Sequence, residues 1–230
     1  MKKINVKGPI VSSGDSWIYD WLGIESTSPG TVAKAIEEAM GDELEVDINS
    51  GGGDVFAGSE IYTALKSYKG NVTIRIVGLA GSAASVVAMA GNKVMMSPTA
   101  QIMIHNVSSR ASGDHRDMAH TAEILKNANE TIANAYMLKS GLSQKDLLDM
   151  MEAETWFTPQ KALEHRLIDE IMFEENQFDL VAGYDCGILP QSVINKIRNT
   201  ITRPISNDAA FLMQQKAEAQ LKFIKLKEVE

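Results

Sequence analysis

Apolar and polar positions follow two rhythms along this chain. Val32, Ala35, Ile36 and Ala39 recur at three- and four-residue spacing, which predicts a helix over residues 31–40 with Glu37 and Glu38 toward solvent. Leu44-Glu45-Val46-Asp47-Ile48 then alternates at period two and predicts a strand. The two rhythms repeat. A helix is expected over residues 55–68, where Ile61 and Leu65 lie four apart and Gly70 is the stop, then a strand over 72–77 and a turn at 78–81. Residues 82–90 are small and apolar and predict a buried helix. Short strands follow at 94–96 and 101–104. The longest helical run spans 114–139, with Met118, Ala122, Leu125, Ile132 and Tyr136 on one side. Helices at 143–151 and 159–165 and a strand over 167–172 complete the pattern, and strands alternating with helices make this an α/β chain.

The two ends depart from these rhythms. The first 30 residues are turn-rich and enclose an aromatic cluster, Trp17-Ile18-Tyr19-Asp20-Trp21-Leu22, expected to pack on the core. From residue 183 onward no clear period survives until a helix of mixed polarity over 208–228. The expected organisation is one domain over 1–182 and a tail over 183–230. A chain of 230 residues has room for one large core.

Charge narrows the partners. Lys and Arg number 22 against 30 Asp and Glu, a net charge of −8. That balance supplies no basic face for nucleic-acid phosphates or for anionic lipid. The one cysteine, Cys186, cannot form an intrachain disulfide, so the chain does not read as built for an oxidising compartment. No apolar run follows Met1-Lys2-Lys3, and no stretch reaches the roughly 18 apolar residues that span a bilayer. The expectation is a soluble, cytoplasmic protein.

Three places carry candidate chemistry. Asn49-Ser50-Gly51-Gly52-Gly53 joins a strand to a helix, where consecutive glycines let backbone N–H groups approach a ligand. Its spacing matches neither nucleotide-loop pattern. Gly78-Leu79-Ala80-Gly81-Ser82-Ala83-Ala84-Ser85 brings serine hydroxyls to a helix start, where free N–H groups can receive an oxyanion. Ile102-Met103-Ile104-His105-Asn106 ends an apolar strand on a histidine, the residue type suited to general base catalysis. Each has an ordinary alternative: a tight turn, a serine cap, a hydrogen-bonded structural histidine. His115, His120 and His165 lie in polar helical surroundings, and no Cys or His pair has metal-ligand spacing, so no metal is expected.

In this order, the motifs resemble the Clp protease proteolytic subunit family. The resemblance runs from about residue 8 to 172. It rests on Asp47-Ile48-Asn49-Ser50-Gly51-Gly52-Gly53, Gly81-Ser82-Ala83-Ala84-Ser85, Met103-Ile104-His105 and residues 158–169. Gly8-Pro9-Ile10 and Trp17-Ile18-Tyr19-Asp20 resemble the phage and prophage head-maturation branch. The resemblance implies a crotonase-like spiral of β-β-α units and a serine endopeptidase without a cofactor. It implies Ser85 as nucleophile, His105 as general base, and Gly52 and Val86 as oxyanion donors. Gly53, Asp54, Asn106 and Val107 would border an extended substrate. The third triad position, usually Asp, falls on Glu154, with Asp149 and Glu152 as alternatives. The family also implies homo-oligomeric rings, usually stacked heptamers joined through the 114–139 helix, with a ring ATPase or phage head proteins as partners. Competing readings are a crotonase-fold enzyme acting on an acyl-CoA and a catalytically silent ring protein used in assembly.

Overall fold

The computed structural model describes residues 1–174; the expected boundary at 183 and the helix over 208–228 lie outside them. The centre is a seven-stranded, mostly parallel sheet. Strands β1 (Lys2–Lys7), β2 (Leu44–Ser50), β3 (Val72–Gly81), β4 (Lys93–Met96) and β7 (Glu170–Ile171) lie side by side in that order. Val46, Ile48, Ile74 and Ile76 are fully buried at its centre. Period-two alternation turns Glu45, Asp47 and Arg75 to the opposite face, where they meet Lys3. Lys3 Nζ lies 2.7 Å from Asp47 Oδ2, and Arg75 Nη1 lies 2.8 Å from Glu45 Oε1. Those charges cross three strands whose sequence positions span 72 residues.

Strand β3 is longer than its periodicity predicts. The expected turn at 78–81 is strand, because Leu79, Ala80 and Gly81 gain a new ladder partner. Thr73–Ile76 pair with β4, and Leu79–Gly81 then pair with Gln101–Met103 of β5 (Gln101–Ile104). A short antiparallel strand, β6 (Thr155–Phe157), adds to β5 through Ile102↔Phe157, Met103↔Trp156 and Ile104↔Thr155. Neither β1 nor β6 was legible in the sequence: β1 offers only Ile4 and Val6 as inward residues, and β6 is three residues long. The expected strand over 167–172 contracts to two residues.

Helix α2 (Pro29–Glu38) starts ahead of its apolar rhythm because Ser28 and Thr31 form a reciprocal cap. Helix α3 (Val55–Lys66) is capped by Asp54, whose Oδ1 accepts from Ala57 N at 2.7 Å. Helix α4 (Ala83–Ala88) is buried throughout and packs on α3. Helix α5 (His115–Ser140) is 26 residues long, about 39 Å at 1.5 Å per residue. Its buried positions, Ala133, Ala135, Tyr136 and Ser140, all lie in the C-terminal half. Helices α6 (Gln144–Glu152) and α7 (Pro159–Glu164) follow.

The N-terminal segment packs on the core through Ile4, Val6, Ile10 and Val11. The aromatic cluster does not. Helix α1 (Ser16–Leu22) buries none of its residues, and Trp17 and Trp21 are 64% and 79% exposed.

Candidate active site

The site forms where β3 ends, β5 ends and the β2–α3 turn passes between them. At Ser82 the chain leaves β3 and enters α4 with φ 51° and ψ −125°, a sparsely populated conformation for a residue with a Cβ. Ser82 N donates to Met103 O of β5 at 2.9 Å, so the strand pairing fixes the bend. The bend presents Ser82 Oγ to His105, one residue past β5, at 2.9 Å from Nε2.

Ser85 is therefore not the serine that meets His105. It lies one turn into α4, is 0% exposed, and donates from Oγ to Ser82 O at 2.6 Å. Its oxygen also lies 2.7 Å from Tyr136 Oη of α5. A helical turn separates the two serines, and only the one at the strand–helix junction faces the cleft. The expectation for Val86 changes with it. Its N–H donates to Ser82 O at 3.3 Å inside the helix and is not free for an oxyanion. The residue after the junction serine is Ala83. As the first residue of α4, its N–H has no intrahelical acceptor.

The glycine turn comes close to that amide. A Cβ at Gly52 would lie 2.6 Å from Gly81 O and 2.8 Å from both Ala83 N and Ser82 Cβ, so only glycine, here at φ 97°, admits the approach. Gly52 O accepts from Ile10 N at 2.9 Å, which ties the turn to the N-terminal segment. Gly52 N donates to Ser50 Oγ at 3.1 Å, and Ser50 Oγ in turn donates to Gly8 O at 2.6 Å. In this conformation the Gly52 amide already has an acceptor.

Together these elements enclose a pocket of about 270 Å³ lined by Gly51, Gly53, Ser82, Ala83, His105 and Tyr136, with Val55, Val107 and Ser108 beside them. Gly53 and Val107 border this pocket. Asp54 and Asn106 do not line it. Asp54 spends its N–H on Ile10 O and its carboxylate on the α3 cap. Asn106 N donates to Met151 O at 3.2 Å, and Val107 N donates to Asn129 Oδ1 at 2.7 Å, so these amides are not open to a substrate strand.

The β5–β6 pairing ends at Ile104↔Thr155, so His105 and Glu154 are the residues that immediately follow and precede that pair. Glu154 is exposed at φ 48°, and its Oε1 accepts from Trp156 Nε1 at 3.3 Å. Asp149 pairs with Lys145 Nζ at 2.5 Å, and Glu152 is exposed at the end of α6. None of the three carboxylates hydrogen-bonds His105. Among the described residues no cluster of His, Cys, Asp and Glu could hold a metal ion, and no helix is long and apolar enough to cross a membrane.

Residues 33–175 match the Clp protease family model. Among similar proteins, an ATP-dependent Clp protease proteolytic subunit of Deinococcus radiodurans is 35% identical over 132 residues, covering 56% of this chain and 65% of that protein. One from Bacteroides fragilis is 31% identical over 137 residues, covering 59% and 66%. Subunit 2 of Nocardia farcinica is 30% identical over 143 residues, covering 61% and 70%. The matched region thus spans just under two thirds of the first two relatives.

Proposed function

The chain belongs to the Clp protease family, and on that premise we propose that it is a serine endopeptidase whose nucleophile is Ser82. The observation that carries this reading is the 2.9 Å contact between Ser82 Oγ and His105 Nε2 at a strained strand–helix junction. A base within hydrogen-bond reach of a hydroxyl is the first requirement of nucleophilic serine catalysis.

In this mechanism His105 Nε2 takes the Ser82 proton as Oγ attacks a peptide carbonyl carbon. The carbonyl oxygen becomes an oxyanion beside Ala83 N–H. His105 then gives the proton to the leaving amine, and the C–N bond breaks to leave an acyl-Ser82 ester. A water molecule, deprotonated by His105, attacks the ester and releases the acid and free Ser82. Glu154 takes the third position by turning from Trp156 to His105. Gly52 N–H joins the oxyanion site when it exchanges the Ser50 hydroxyl for the substrate oxygen. Preorganised donors of this kind are worth about 10²–10³ in rate each.

The relatives' name describes a subunit of an ATP-dependent protease, so we propose that this chain too works as a homo-oligomer fed by a separate ATPase. The exposed N-terminal half of α5 is the contact element proposed for that assembly. The Gly8-Pro9-Ile10 opening and the Trp17 cluster support extended segments of phage capsid or scaffold proteins as substrates. A silent assembly protein is the second reading, favoured by the engagement of Glu154 with Trp156 and of Gly52 N with Ser50.

Intact mass after exposure to a small fluorophosphonate decides between them. One adduct on the wild type and none on Ser82→Ala is the expected result. No adduct on folded, assembled wild type overturns the peptidase reading, and an adduct retained by Ser82→Ala overturns the assignment of the nucleophile.

A further inference from the structure

The hydroxyls of Ser85 and Tyr136 form a chain that the mechanism above does not use. Ser85 Oγ donates its single proton to Ser82 O at 2.6 Å. The 2.7 Å contact with Tyr136 must then be a donation from the phenol to Ser85 Oγ, since the serine has no second proton to offer. Tyr136 is 1% exposed, and burial pushes its pKa up, so the phenol keeps its proton throughout the range in which a histidine base works. Ser82 O also accepts from Ser85 N at 2.9 Å and from Val86 N at 3.3 Å. Three donors therefore converge on one carbonyl.

That carbonyl shares a peptide plane with Ala83 N–H. In a trans peptide the C=O and the N–H point in opposite directions and turn together. Holding Ser82 O against the helix therefore aims Ala83 N–H away from it, toward the pocket that Ala83 lines beside Gly52. The anchor matters here because Ser82 sits at φ 51°, where the backbone does not hold the plane by its own preference.

We propose that Ser85 and Tyr136 are positioning residues that lock the Ser82–Ala83 peptide plane so that Ala83 N–H is preset for the oxyanion. The proposal rests on the peptidase reading. It also gives α5 a direct line to the reacting centre, because Tyr136 is an α5 residue.

The test compares wild type, Tyr136→Phe and Ser85→Ala for fluorophosphonate labelling rate and for kcat and KM on a fluorogenic peptide, with melting temperature recorded for each. Both variants keep Ser82 and His105. The expected result is a fall of about 10-fold in labelling rate and kcat, less than the loss of a whole oxyanion donor, with KM changed less than twofold. The double variant should be no slower than the slower single variant, because the two hydroxyls act as one chain. A merely structural role would move KM or the melting temperature and leave labelling per folded molecule unchanged, and that result overturns the proposal. If Ser85→Ala does not fold, Tyr136→Phe, which removes a single oxygen, decides alone. A wild type that neither labels nor cleaves overturns the peptidase reading itself, which separates that failure from failure of the hydroxyl chain.

Discussion

A methyl group at position 52 would meet Gly81 O at 2.6 Å and Ala83 N at 2.8 Å, on a backbone at φ 97°. All the atoms it would meet belong to backbone or to Cβ and cannot swing aside as a long side chain can. Gly52→Ala should therefore cost about 1–3 kcal/mol from the backbone conformation alone and should also abolish labelling of Ser82. Urea melts and intact mass on the same sample check both halves. At this scale the sequence was legible in kind and not always in position. His105 and the glycine turn, singled out as motifs, both border the pocket that Ser82 lines. Ser85 is buried away from His105, and Ser82 meets it instead: Gly81-Ser82-Ala83-Ala84-Ser85 offers two serines three residues apart, and family resemblance alone did not fix the register. One available signal pointed to Ser82: an expected helix beginning at that residue makes it the cap, and the first free amide after a cap is the natural oxyanion donor. The role of Glu154 was less legible still. Its place near the His105 end of β5 depends on β6, a strand of three residues, and its carboxylate depends on a rotamer that Trp156 holds.

Among the elements, α5 carries the clearest pH response. The Arg116 guanidinium, with the Arg116 and Asp117 amides, holds the Asp114 carboxylate below the usual range. A folded-state pKa below the unfolded one adds stability above the unfolded pKa and loses it as pH falls through the folded value. The first turn of α5 is therefore expected to fray in acid below the ordinary carboxylate range and to be intact at neutral pH. Amide exchange at Arg116 and Asp117 measured between pH 6 and 2.5 checks this, and unchanged protection would refute it. Helices α2, α3 and α6 were legible from period 3.6 because each buries a stripe. The strands were legible where several apolar residues alternate, as in β2. They were missed or shortened where pairing, rather than pattern, makes the strand: β1, β6 and the last three residues of β3.

For the molecule as a whole, the α/β class follows from the order of rhythms, while the division of labour within β3 does not. Its first half joins β2 and β4, and its last three residues carry all of its pairing with β5, whose other edge takes only the short β6. The sheet therefore has a broad, well-paired body and a narrow seam. Ser82 hangs on one side of the seam and His105 on the other. Local opening draws on the least-paired parts of a structure before the core yields. Increasing urea is expected to extinguish fluorophosphonate labelling at a lower concentration than it melts the far-ultraviolet circular dichroism signal. Coincident curves would show that the seam and the body open together. If the curves separate, the proposed peptidase chemistry is a gauge of three pairs of residues: a nascent or damaged chain can hold most of its secondary structure and still be harmless to its neighbours until β5 has docked.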